Sequence, residues 1–156
     1  MKLYTLMLLK RDGELLLAMK KRGFGAGRWN GVGGKVEKGE TISEAAVREC
    51  DEEIGVQAEH FSLVAVHDFL FPEGEDMRVF VYTCDQWSGE PVETEEMRPQ
   101  WFSLDAIPYS EMWQDDIIWL PFVLAGKCLK GSFTFDSDDN LCAGEVVMVD
   151  QIEEPL

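Results

Sequence analysis

Basic residues are scarce in this chain of 156 residues: 14 lysines and arginines stand against 30 aspartates and glutamates, giving a formal net charge of -16. So acidic a surface repels polymeric nucleic acid and anionic membranes, and a polyanionic ligand would need a cation as intermediary. Histidine is nearly absent. His60 and His67 are the only two, they show no metal-ligand spacing, and each is expected to be an ordinary surface or strand residue. The cysteines Cys50, Cys84, Cys128 and Cys142 form no C-x-x-C pair, which excludes the common thiolate-zinc and dithiol motifs. Long apolar runs are missing: the stretch 117–126 is interrupted by Pro121 and falls far short of the roughly 20 residues of a membrane helix. Met1-Lys2-Leu3-Tyr4 lacks the charged-then-apolar layout of a signal peptide. Repeats and low-complexity tracts are absent. The expectation is a reduced, cytoplasmic protein with no polymeric nucleic acid, membrane or protein partner implied.

What is present suits one domain over residues 1–156, since 46% of the chain is hydrophobic and 28% charged. Residues 3–9 and 15–19 are apolar around the turn Lys10-Arg11-Asp12-Gly13 and predict a hairpin of buried strands. From 20 to 34 glycines 23, 25, 27, 31, 33 and 34 are interleaved with Lys20, Lys21, Arg22 and Arg28. This reads as a long loop that packs through Phe24, Trp29 and Val32, and such loops are often functional. Thr41-Ile42-Ser43-Glu44 is a capping box, and Gly55 stops the helix that follows. Residues 61–71 and 77–84 predict a second hairpin, 100–103 a further strand, and 109–127 a helix that Pro121 breaks or restarts. Late strands are expected at 133–135 and 145–149 around the acidic turn 136–140, with a frayed tail from about residue 151.

The chemistry concentrates on the first helix. Glu49, Glu52 and Glu53 stand at i, i+3 and i+4, so three carboxylates crowd one patch while Ile42, Ala46, Cys50 and Ile54 line another face. Read by itself, such a cluster is either a solvated acidic face or a cation site. All-oxygen ligation favours magnesium or manganese over zinc.

The full spacing is longer: Gly34, five residues, Glu40, seven residues, Arg48-Glu49, then Glu52-Glu53, Gly55 and Val56. It resembles the box of the Nudix hydrolases, G-x5-E-x7-R-E-U-x-E-E-x-G-U with U aliphatic, here at residues 34–56. The one departure is Cys50, a small hydrophobe when buried. The resemblance implies an α/β fold, an α/β/α sandwich around a mixed β-sheet, with the box as a loop-helix-loop. It implies Mg2+, with Mn2+ as substitute, on Glu49, Glu52, Glu53 and the Gly33 carbonyl, Glu96 being an outside contributor from a later loop. Glu52 or Glu53 is the expected base. Arg48, one turn from both Glu44 and Glu52, is placed to orient a glutamate.

Similarity extends beyond the box. Leu3-Tyr4-Thr5-Leu6 and the stretches 19–41, 89–109 and 112–121 look like the oxidised purine nucleoside triphosphatases, the MutT-homologue branch acting on 8-oxo-dGTP, over about residues 3 to 135. The resemblance implies Mg-dependent hydrolysis of 8-oxo-dGTP or 2-hydroxy-dATP type nucleotides to monophosphate and pyrophosphate. It places a base pocket on Thr5, Phe24, Asn30, Phe69, Trp113, Asp115 and Asp116, with Lys20 toward the sugar or phosphates. The plainer readings are core packing for Phe69 and Trp113, a helix cap for the aspartates and a turn for Asn30. Gln114, where well-known members carry proline, is expected to loosen the pocket wall. The alternatives are a Nudix enzyme for a methylated purine nucleotide or dinucleoside polyphosphate, and a nucleotide-binding regulator without catalysis.

Overall fold

Apolar side chains on both sides of the central strands set the architecture. In β1 (Lys2–Arg11) Met7 and Leu9 enter one cluster and Leu8 another; in β2 (Glu14–Lys20) Leu16 and Ala18 join the first, Leu15 and Leu17 the second. Because side chains alternate along a strand, a run that is apolar at every position needs a cover on each face. The covers are two helices. α1 (Ile42–Ile54) packs Ile42, Ala46, Cys50 and Ile54 into the first cluster, and α2 (Asp116–Leu124) packs Trp119, Leu120 and Val123 into the second. The result is the expected α/β/α sandwich. The computed structural model describes residues 1–155.

The remaining strands are β3 (Trp29–Asn30), β4 (Gln57–Leu70), β5 (Met77–Ser88), β6 (Met97–Ser103), β7 (Cys128–Phe135) and β8 (Leu141–Val149). Their order is β3-β2-β1-β5-β4-β7-β8, with β6 beside β2. β1 runs parallel to β5 and β4 parallel to β7; the other pairings are antiparallel. Both expected hairpins form, but the first opens after Lys10↔Leu15 and Arg11↔Glu14, because β1 turns to β5 and β2 to β6. Into the opened edge of β1 comes the end of the glycine-rich loop. The Thr5 amide donates to the Gly34 carbonyl at 2.9 Å, that of Val32 to Met7 at 3.1 Å, and that of Val36 to Leu3 at 2.9 Å. A Cβ on Gly33 would stand 1.8 Å from the Thr5 carbonyl oxygen, so only glycine allows this approach.

α1 follows the sequence closely. Thr41 Oγ1 accepts from the Glu44 amide, Glu44 Oε1 accepts from the Thr41 amide, and Gly55 closes the helix at φ 71°. The expected helix 109–127 is shorter. A 3-10 turn (Tyr109–Glu111) precedes α2, and Pro121 lies inside α2 without breaking it. The carbonyl that loses its donor belongs to Ile117, which is 58% exposed, so water can replace the missing bond. The tail is irregular but not frayed as expected: Ile152 packs on the first cluster and the Tyr82 hydroxyl donates to Glu154 at 2.8 Å. The turn after β7 is built by its own acid, since Asp136 Oδ1 accepts from the Asp138 and Asn140 amides, both at 2.9 Å. All four cysteines are free. Among the described residues no helix is long and apolar enough to cross a membrane.

Candidate active site

Arg48 organises the acidic end of the cleft. Its Nε and Nη2 donate to the two oxygens of Glu40 at 2.6 and 2.9 Å, while Nη1 donates to Glu49 at 2.9 Å and Glu52 at 3.1 Å. Nη2 also donates to the Lys35 carbonyl at 3.1 Å. The planar fork of arginine suits this use, and a lysine could not reproduce it. Glu44, the other neighbour one turn away, is occupied in the capping box. Glu40 had no role in the sequence reading beyond its place in the spacing; beside Arg48 its carboxyl is held down to about 2.

The three helix carboxylates share one patch, as expected, but differ in exposure. Glu52 is 59% exposed and held by Arg48, whereas Glu53 is only 8% exposed and its Oε2 has no partner. Burial, and then the nearby Glu49, push the Glu53 carboxyl well above the ordinary range; Lys20 and the Gly33 amide pull the other way. Glu49 lies against Gly34, where a Cβ would meet its carboxyl at 2.6 Å. Glu96 is engaged elsewhere, accepting from Arg22 at 2.6 and 3.1 Å. Among the described residues no three acidic, imidazole or thiol groups form a ready metal cage. The donor set nevertheless fits a hard divalent ion: an unpartnered buried carboxylate, a second carboxylate beside it, and main chain brought close by two glycines.

Adjoining this end is a cavity of about 180 Å³. A void of roughly 150 Å³ takes a benzene ring, so one flat heteroaromatic fits. Its lining includes Thr5 of β1, Lys20 at the end of β2, Phe24 and Gly33 of the glycine-rich loop, Asn30 of β3, Phe69 of β4, and Trp113, Asp115 and Asp116 around the start of α2. Phe24 stands 5.2 Å from Trp113, and Phe69 stacks on Phe133 at 5.5 Å. Asn30 does make a turn, its Oδ1 accepting from the Gly31 amide at 2.9 Å; its amide nitrogen stays available. Asp115 makes no cap bond and instead accepts from Trp119 Nε1 at 2.8 Å. Gln114 fastens the wall instead of loosening it: Nε2 donates to Asn140 at 3.0 Å and Oε1 accepts from the Leu141 amide at 2.8 Å.

Sequence reasoning missed three contributors. Arg28 lies over Trp113 at 4.2 Å, a cation on an aromatic face. Phe71 stacks on Phe135 at 5.6 Å. His67 lines the same cavity, fully buried. The signal for His67 was its two-residue step from Phe69, which puts both side chains on one face of β4.

Burial raises the carboxyls of Asp115 and Asp116, and for Asp116 the adjacent Asp115 adds to the effect. A group with a raised folded-state pKa binds more protons in the native protein than in the unfolded chain. Its penalty is therefore fully present above the folded pKa and disappears as the pH falls toward the unfolded value near about 4. Asp116→Asn should raise the melting temperature at pH 8 by about 3 °C or more, and much less at pH 4.5. Calorimetry at the two pH values checks this; equal shifts at both would remove the buried charge as the cause.

Comparison with known proteins identifies the family. The NUDIX domain profile matches residues 4–123. The oxidized purine nucleoside triphosphate hydrolase of Danio rerio is 50% identical over 139 residues, covering 88% of this chain and 89% of the relative. The mouse (Mus musculus) protein of the same description is 45% identical over 150 residues, 96% of each. In structure, a MutT protein from Bacillus halodurans superposes with a TM-score of 0.84 at 26% identity, over 94% of this chain and 97% of that one. A family profile spanning most of the chain and a relative half identical over most of its length place the box in its family: this chain is a member of the Nudix family.

Proposed function

We propose that this chain hydrolyses oxidised purine nucleoside triphosphates, of the 8-oxo-dGTP and 2-hydroxy-dATP kind, to the monophosphate and pyrophosphate. It would thereby clear mutagenic precursors from the cytoplasmic nucleotide pool. One observation carries the reading: Lys20, Gly33 and Gly34 line the aromatic cavity and also border Glu53 and Glu49, so a single cleft has a place for a base and a place for phosphates. The two vertebrate relatives named above support the choice of substrate.

Within the cleft, Phe69 and Trp113 offer ring faces to the base, with Phe24 at the exposed rim. The Asn30 amide donates, and the paired aspartates share the work of donor and acceptor at the base edge. Two adjacent buried carboxyls resist double ionisation, so one of the pair holds a proton and donates while the other accepts. Thr5 adds a hydroxyl, and Lys20 faces the sugar and phosphate side. Glu49, Glu52, Glu53 and the Gly33 carbonyl would hold Mg2+, or Mn2+ in its place; Glu96 could join only by releasing Arg22. Such an ion, when bound, neutralises and orients the phosphates and acidifies water for attack on phosphorus. Arg48 keeps the glutamates aimed. Glu53, buried and unpartnered, is better suited to take a proton than Glu52, which lies in solvent.

The experiment is product analysis with 8-oxo-dGTP, with magnesium and with excess EDTA. Monophosphate and pyrophosphate should appear only with the hard divalent ion, and activity should survive a zinc-selective chelator. Full turnover in metal-free EDTA would refute the mechanism, and inorganic phosphate in place of pyrophosphate would refute the reaction.

A further inference from the structure

Among the described residues, the buried side-chain polar atoms that lack any hydrogen-bond partner belong to Thr5, Glu53, His67 and Asp116. All four lie in one cleft, and three of them have roles in the reading above. His67 has none. Its ring is fully buried, both nitrogens are unpartnered, and its neighbours are Trp119 at 4.6 Å and the edge of Phe133 at 5.3 Å. For folding alone, an apolar ring here would serve better, because a buried donor left unsatisfied carries its full desolvation cost. A side chain that costs stability and lines a binding cavity points to a ligand.

The chemistry of that ligand follows from the ring. Burial holds the imidazole neutral, its pKa depressed to about 3, so it carries one N–H and one lone pair. The Nδ1–Cε1 edge is pressed on Gly131 of β7: a Cβ there would stand 2.5 Å from Nδ1 and 3.0 Å from Cε1. With the Nδ1 edge closed off by Gly131, Nε2 is the ring nitrogen left to meet a ligand, and it donates in the tautomer that carries the proton there. We infer that His67 is a specificity-determining residue, its Nε2–H donating to the oxygen that oxidation adds to the bound purine. The inference rests on the function proposed above and deepens it. Oxidation gives a purine one oxygen more than its parent, so a fixed donor in the pocket rewards the damaged base over the normal one.

The test compares wild type, His67→Phe and His67→Gln. His67→Phe keeps a ring against Trp119 and Phe133 but removes the donor; His67→Gln keeps an N–H. The kcat/KM ratio of 8-oxo-dGTP to dGTP should fall about tenfold or more in His67→Phe and much less in His67→Gln, the scale expected when a buried hydrogen bond to substrate is lost. The melting temperature of His67→Phe should equal or exceed that of wild type, which a merely structural role would not produce. Calorimetric affinity of 8-oxo-dGMP, measured without metal, should drop in parallel. If the phenylalanine variant fails to fold, the 15N signals of the His67 ring in wild type decide: they must shift on binding 8-oxo-dGMP and shift less with dGMP. Unchanged selectivity and product affinity in His67→Phe, or unmoved ring signals, would overturn the role of His67 while leaving the function standing. A wild type with no preference for 8-oxo-dGTP would overturn the function itself, and this inference with it.

Discussion

Glu53→Gln should lower kcat by about a hundredfold or more while leaving the protein folded. The buried carboxyl has an unpartnered oxygen, presses against Glu49 and sits beside main chain that only glycine permits. An amide of the same shape can neither lend charge to a cation nor take a proton. It also relieves the crowding with Glu49, so the variant should melt no lower than wild type. The loss of rate would then be chemical and not a loss of fold. Turnover at saturating magnesium and a thermal melt on the same preparation check both halves. Near wild-type turnover would remove Glu53 from the machinery and leave the exposed Glu52 as the remaining candidate for the base.

Asp115→Asn should change the preference between 8-oxo-dGTP and 2-hydroxy-dATP by about tenfold or more, the scale of one mismatched buried hydrogen bond. The two bases arrange donors and acceptors differently. A carboxyl pair that shares one proton can suit either by moving it, and asparagine fixes one pattern. The substitution is mild for the fold, because the amide oxygen can still accept from Trp119 Nε1, the bond Asp115 makes at 2.8 Å. Metal dependence should stay almost unchanged. A uniform loss of kcat/KM on 8-oxo-dGTP, 2-hydroxy-dATP and dGTP would mean that Asp115 only holds Trp119 in place.

Much of this was legible in the sequence where local rules dominate. The capping box, Gly55 and the step from Ile42 to Ile54 define α1 to the residue. Apolar runs with no alternation announced strands covered on both faces. What escaped depends on contacts between distant segments. Of the two expected neighbours one turn from Arg48 only Glu52 is bonded to it, and its paired bonds go to Glu40 across a loop, because Glu44 is already committed to the helix cap. Pro121 is accommodated inside α2 on the turn that carries the exposed Ile117, whose carbonyl it leaves without a helical donor. Gln114 reaches Asn140, and the tail reaches Tyr82, through side-chain bonds that no periodicity encodes. His67 was set aside because a lone histidine in a strand is usually unremarkable, and only the cavity shows that its nitrogens have nowhere else to turn.

The most direct measurement is kcat/KM of the wild-type protein for 8-oxo-dGTP, 2-hydroxy-dATP and dGTP with magnesium, following pyrophosphate. A cleft that reads the base through the aspartate pair and hydrolyses through the Glu53 end predicts a preference for the oxidised nucleotides of about tenfold or more over dGTP, with pyrophosphate released in each case. Equal or better use of dGTP would contradict it.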